Sequence, residues 1–138
     1  MSEEIKTLGR RKGLLETLEM DVVEASKERV VVTMPVTPRH LQPRGYLHGG
    51  ASLALAETAA SVGASLNAPS GMMTFGQELN ANHLRAVQDG LLTATATPLH
   101  VGRSSQVWQI FIRDERDRLI CVSRCTLAVV HATRDGSD

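Results

Sequence analysis

In this chain of 138 residues, Glu57 and the pair Gly49-Gly50 have the types and spacing to do chemistry together. Glu57 is the only acidic residue between Glu28 and Glu78, and its neighbours Leu53, Leu55, Ala56, Ala59 and Ala60 are apolar. A carboxylate is costly to bury in such a setting unless it is paired or used, and residues 49–66 contain no Lys or Arg. The alternative is a solvent-facing glutamate. Against it, Gly50, Ala54, Glu57, Ser61 and Ser65 fall on one narrow stripe of small and polar side chains at helical spacing.

The segment Gln42-Pro43-Arg44-Gly45-Tyr46-Leu47-His48-Gly49-Gly50 runs straight into that helix. Two glycines at a helix start leave backbone N–H groups uncovered, and helix N-termini attract negative charge. A carbonyl oxygen becoming an oxyanion would be stabilised there. The other reading is that the glycines only permit a tight turn. Gly49 and Glu57 are eight residues apart, or ~12 Å of helix. A reacting carbon must sit ~3 Å from both its attacking group and its oxyanion donors. One chain therefore struggles to build the site. Two antiparallel copies of the helix would bring Gly49 of one beside Glu57 of the other, with a two-fold axis near Leu53 and two sites per dimer.

Other chemistries fit poorly. Gly50-Ala51-Ser52-Leu53-Ala54 lacks the second glycine of a nucleophile elbow. The five histidines (40, 48, 83, 100 and 131) show no metal-ligand spacing, and Cys121 and Cys125 form no CxxC, so no metal is expected. No Walker or dinucleotide glycine pattern occurs.

The elements that must hold these residues follow from periodicity. Residues 8–18 have the spacing of a short amphipathic helix that carries Arg10, Arg11 and Lys12. Residues 20–25 and 29–34, rich in Val, read as a β-hairpin. Residues 35–46, with three prolines and a glycine, form a loop. The one long helix spans about residues 49–66, its many Ala and Ser residues suited to close approach from several sides. Strands are expected over 73–86, 91–101, 105–113 and 119–131 with short turns between them, which argues for an antiparallel sheet. The expected fold is α+β, about six antiparallel strands packed on one central helix, in a single domain over 1–138.

Hydrophobic residues make up 42% of the chain and aromatics 3%, so the core must come from Leu, Val, Ile, Ala and Met. Zero net charge gives no sign of a broad nucleic-acid or membrane surface. No apolar stretch approaches the ~20 residues of a membrane span, and no apolar run follows Met1-Ser2-Glu3-Glu4, so a soluble cytoplasmic protein is expected. Cys121 and Cys125, four residues apart on one strand, span ~13 Å and cannot bridge; they read as small buried apolar residues.

From Gln42 through Ser61 the sequence resembles the PaaI-like group of hotdog-fold thioesterases. The likeness is closest to the subgroup of the Arthrobacter-type 4-hydroxybenzoyl-CoA, 1,4-dihydroxy-2-naphthoyl-CoA and enterobactin-pathway proofreading thioesterases. The HGG step followed by a mid-helix glutamate is its distinctive element. Residues 80–85 and 98–108 match too, and the likeness runs from about residue 14 to 130. It implies hydrolysis of an acyl-CoA thioester, with an aromatic acyl group, by a homodimer as minimal active unit within a homotetramer. CoA would be part of the substrate, and no cofactor would be needed.

By that resemblance Glu57 would be nucleophile or general base, and the Gly49 N–H would hold the thioester oxygen. Gln42 and His48 would orient the thioester or water from the opposite subunit, and Ser61 would position water or the carboxylate. Gly76, His83, Leu84, Arg85 and Ala86 would line the pantetheine and acyl path. His100, Val101, Gly102, Arg103, Ser104 and Ser105 would contact the CoA end. Sequence does not choose between attack by Glu57, which gives an anhydride, and activation of water. Alternatives are a thioesterase for medium-chain acyl-CoA or acyl carrier protein substrates, a non-catalytic acyl-CoA-binding module and, more weakly, a hotdog dehydratase using His48 and Glu57.

Overall fold

The computed structural model describes residue 3 and residues 12–132. The chain forms α1 (Leu14–Thr17), β1 (Asp21–Ala25), β2 (Val30–Pro35), a 3₁₀ turn (Pro38–His40), α2 (Gly49–Asn67), β3 (Met72–His83), β4 (Leu91–Val101), β5 (Ser105–Arg113) and β6 (Leu119–His131). All six strands join one antiparallel sheet in the order β1-β2-β4-β5-β6-β3. Helix α2 touches every strand. This is the hotdog arrangement, a sheet curled round a single long helix.

The sheet can close on α2 because the helix is thin. Ala51, Ser52, Ala56, Ala59, Ala60, Gly63 and Ala64 are buried on it, with Leu55 and Val62 as the larger contacts. The strands supply the bulk: Val30, Val32 and Met34 on β2, Leu92 on β4, Trp108, Ile110 and Ile112 on β5, and Leu127 on β6. Gly63 lies directly under Trp108, where a Cβ would overlap the indole ring. The indole Nε1–H donates to Gln106 Oε1 at 2.9 Å, and Gln106 Nε2 donates to the Ala64 carbonyl at 3.1 Å. A buried polar chain thus fixes the ring against the helix. Pro69 ends α2 by forcing the preceding Ala68 into extended backbone, φ −67° and ψ 136°.

Several expectations change at their edges. The helix expected over 8–18 is, within the described residues, the single turn Leu14–Thr17; Arg10 and Arg11 lie outside them. A glycine with φ +59° at position 13 caps that turn, and Glu19 at φ 55° follows it. The loop 35–46 has internal order: its 3₁₀ turn and a bridge between Leu41 and Leu47. The strand expected over 73–86 ends at His83, so Leu84, Arg85 and Ala86 lie on the connection to β4. Cys121 and Cys125 are free and buried on the helix-facing side of β6.

Candidate active site

The head of α2 is built from two glycines and two imidazoles. His48 caps the helix with extended backbone, and its Nδ1 accepts the Gly50 N–H at 2.8 Å. A Cβ on Gly50 would stand 2.9 Å from that nitrogen, so glycine lets the ring fold over the helix end. Because Nδ1 accepts, neutral His48 carries its proton on Nε2, which is free to donate outward. Gly49 serves the second ring: a Cβ there would lie 2.9 Å from His83 Nε2. The Gly49 N–H has no acceptor among the described residues. No acidic residue occupies the first turn to neutralise the helix end.

The preceding loop aims Gln42 at the same place. Its Oε1 accepts the Arg44 backbone N–H, which leaves the side-chain amide as a donor. The Gln42 N–H donates to the Tyr46 carbonyl at 2.7 Å, and the Gly45 N–H returns to the Gln42 carbonyl at 2.9 Å. Gly45 has φ +87°, a conformation that favours glycine. The loop is anchored from inside by buried His40, whose Nδ1 accepts the Thr37 N–H at 3.1 Å and whose Nε2–H donates to the Leu18 carbonyl at 2.7 Å. Spacing alone treats His40 as one of five non-ligating histidines. Its capping box with Thr37 shows only in the structure, because Thr37-Pro38-Arg39-His40 lacks the Glu or Gln of the sequence signature.

Gln42, Gly49, His83, Leu84, Arg85 and Ala86 meet in one cleft of about 530 Å³. Arg44 lines it as well, a second cation that the sequence pattern does not single out.

Glu57 faces elsewhere. Ala54, Glu57, Ser61 and Ser65 line a separate groove of about 430 Å³, with Leu14 and Leu15 of α1 on its wall. Four of the five stripe residues on α2 are therefore a groove wall, while Gly50 lies at the helix head under His48. The Glu57 carboxylate is partly buried yet makes no hydrogen bond or ion pair among the described residues. Ser61 is equally unbonded, whereas neighbouring Thr58 donates to the Ala54 carbonyl at 2.7 Å, the usual helix back-bond. Gly76 of β3 lies against Glu57, and a Cβ there would overlap Oε1. Below them burial pushes the Cys125 thiol up to about 12, with the charges of Glu57 and Glu78 adding to the effect.

The third cluster stays apart. His100 and Val101 end β4, and the Gly102 N–H donates to the Ser105 carbonyl at 2.9 Å in the turn to β5. Arg103 and Ser104 line a groove of about 700 Å³ with Met72 and His131, at the far end of β3 from His83. Glu57 likewise stays away from the cleft at the helix head. Gly76 and His83 are seven residues apart on β3, or ~23 Å. The Glu57 carboxylate and the donors at the helix head thus line different grooves of the same chain.

No group of three His, Cys, Asp or Glu side chains that could hold a metal ion occurs among the described residues. No helix among them is long and apolar enough to cross a membrane.

A sequence model of the thioesterase superfamily matches residues 44–121. The 1,4-dihydroxy-2-naphthoyl-CoA hydrolase of Listeria monocytogenes is 51% identical over 117 residues, which cover 85% of this chain and 95% of the relative. The crystal structure of thioesterase HI1161 from Haemophilus influenzae superposes with a TM-score of 0.90 at 40% identity, covering 99% of this chain and 97% of that one. Protein SAV0944 from Staphylococcus aureus is 45% identical with a TM-score of 0.84, over 87% of this chain and 100% of its own. It has been solved with a glutamate and, separately, a glutamine replaced by alanine, 15 residues apart. Gln42 and Glu57 have the same separation.

Proposed function

This chain belongs to the thioesterase superfamily, and on that footing we propose that it hydrolyses an aromatic acyl-CoA to free acid and CoA at two sites shared across a homodimer. That it is an acyl-CoA thioesterase accords with its relatives; the aromatic acyl group and the shared site are the finer claims. The observation that carries the reading is the partly buried, unbonded Glu57 carboxylate facing a groove, with its complement of donors in a different cleft of the same chain. The aromatic preference is supported by the Listeria relative, named for a naphthoyl thioester.

In the assembled site the thioester carbonyl oxygen takes the free Gly49 N–H of one chain, where the unneutralised helix end favours developing negative charge. Glu57 of the other chain attacks the carbonyl carbon, or removes a proton from a water that does. The C–S bond breaks and CoA leaves as its thiolate, which takes up a proton; water attack gives the carboxylic acid directly, whereas attack by Glu57 leaves an anhydride that a water then hydrolyses, releasing the acid and restoring the carboxylate. The Gln42 amide and His48 Nε2–H are both left as donors by their own internal bonds, so they can orient the carbonyl or the water. Ser61, one turn beyond Glu57 with an uncommitted hydroxyl, holds water or the carboxylate. His83, Leu84, Arg85 and Ala86 flank the pantetheine path, and Gly76 borders it beside Glu57. Residues His100 to Ser105 receive the CoA end, where Arg103 suits phosphate. No cofactor is required. A homotetramer would pair two such dimers and leave each site unchanged.

Subunit mixing tests this. Glu57→Ala and Gln42→Ala chains should each lose at least ~10²-fold in CoA release. Refolded together in equal amounts, half the dimers are mixed and each holds one intact site, so about a quarter of the wild-type rate should return. No recovery, while wild-type chains refold normally, would refute the shared site. The same assay across benzoyl, naphthoyl and medium-chain thioesters should favour rings; a preference for chains would refute the aromatic claim.

A further inference from the structure

Strand β3 makes its register shift against β6 between Gly76 and Glu78, so Gln77 is an extra residue, a β-bulge. Its position has two consequences. First, residues directly opposite on paired strands share a face. Gly76 stands opposite Leu127 and His83 opposite Cys121, both buried toward the helix. Strand faces alternate strictly, so an even-numbered and an odd-numbered residue can share a face only if a bulge changes the parity between them. Gln77 makes that change. It lets one strand present Gly76 to Glu57 and His83 to Gly49.

Second, Gly76 leaves a vacant volume where its Cβ would be, and the Glu57 carboxylate stands there: that Cβ would overlap Oε1 and lie 2.9 Å from the carboxyl carbon. Gln77, Glu78 and Leu79 complete a small cavity of about 120 Å³ around the same carboxylate. Nothing else among the described residues bonds to it, so the shape of β3 at this point is what sets its position.

We propose that Gly76 is a positioning residue for Glu57, its missing side chain defining where the carboxylate stands, and that the bulge at Gln77 is the device that presents it. This rests on Glu57 being the working carboxylate. Its role differs from merely bordering the substrate path, because it acts through Glu57 and should appear in turnover rather than in binding.

Gly76→Ala is the test. The added methyl meets the far end of a flexible side chain, not backbone, so the fold should stand while the carboxylate moves. A displacement of about 1 Å at the reacting group is expected to lower kcat by ~10²-fold with KM changed by no more than ~3-fold. The decisive comparison repeats Gly76→Ala in a Glu57→Asp background, where the shorter side chain clears the methyl. There the further loss in kcat should shrink to below ~3-fold, a coupling that only contacting groups show. An equal loss in both backgrounds, or a loss confined to KM, overturns the proposal and leaves Gly76 as a substrate contact. Glu57→Ala with undiminished hydrolysis would instead overturn the assignment of Glu57 itself.

Discussion

Each glycine at the head of α2 faces an imidazole: Gly50 admits the His48 ring and Gly49 the His83 ring. Helical spacing paired Gly49 of one chain with Glu57 of another, and the family resemblance added Gln42 and His48 to that expected site. Neither showed what the glycines make room for, since His83 comes from a strand 34 residues further on. The same limit hid the contact of Gly76 with Glu57, which needs the pairing of β3. Cys125 shows how such a contact is felt chemically. Its thiol is held at about 12 by burial first and by Glu57 and Glu78 next, against an ordinary value of ~8.5. A raised folded-state value gives stability that is whole below the unfolded value and is lost as pH rises toward the folded one. Urea midpoints should therefore fall from pH 9 toward pH 12, and more gently in Cys125→Ala, which is less stable overall; a parallel decline in both would refute the assignment. In the native protein neither cysteine should react with Ellman's reagent at pH 8.

At the scale of elements, the long helix and the four later strands were legible because each repeats its period over many residues; α2 runs Gly49–Asn67 against the expected 49–66. The β-hairpin was legible too, at Asp21–Ala25 and Val30–Pro35 against the expected 20–25 and 29–34, but the short helical turns were not. A single turn at Leu14–Thr17 and a 3₁₀ turn at Pro38–His40 are held by tertiary bonds such as that from His40 to Leu18, which no local pattern records. Leu84 leaves the strand ladder although its N–H still bonds the Ile120 carbonyl at 2.8 Å. Packing between elements yields a sharp prediction at Gly63. Ala there would gain ~1 kcal/mol of helix propensity, but its Cβ would overlap an indole that Gln106 ties to the helix. Overpacking a rigid core costs ~1–3 kcal/mol. The clash should win, with Gly63→Ala destabilised by up to about 2 kcal/mol in urea unfolding; a more stable variant would mean that Trp108 can swing away.

For the whole molecule, the proposed shared site makes assembly a condition for activity. Strand β3 is one of the two edges of the sheet, twelve residues long and paired with a described strand on one side only, with Met73 and Phe75 exposed on it. An unpaired edge of that length invites a second strand. Specific activity should fall on dilution in step with the loss of dimer in sedimentation. A fully active monomer would refute the shared site at once.

The sheet order carries one more consequence, and it concerns time. β3 is third in the chain but last in the sheet, and its strand partner among the described residues is β6, made after the other five strands. Met72 must wait for His131, and His83 for Cys121. While the ribosome extends the chain at ~5–20 residues per second, the helix and first strands can already collapse, but the strand pair beside Glu57 cannot form. Contacts so distant in sequence are slow to close. The β3 wall beside Glu57 thus closes after the rest of the described sheet, and a nascent chain can be compact well before that wall exists.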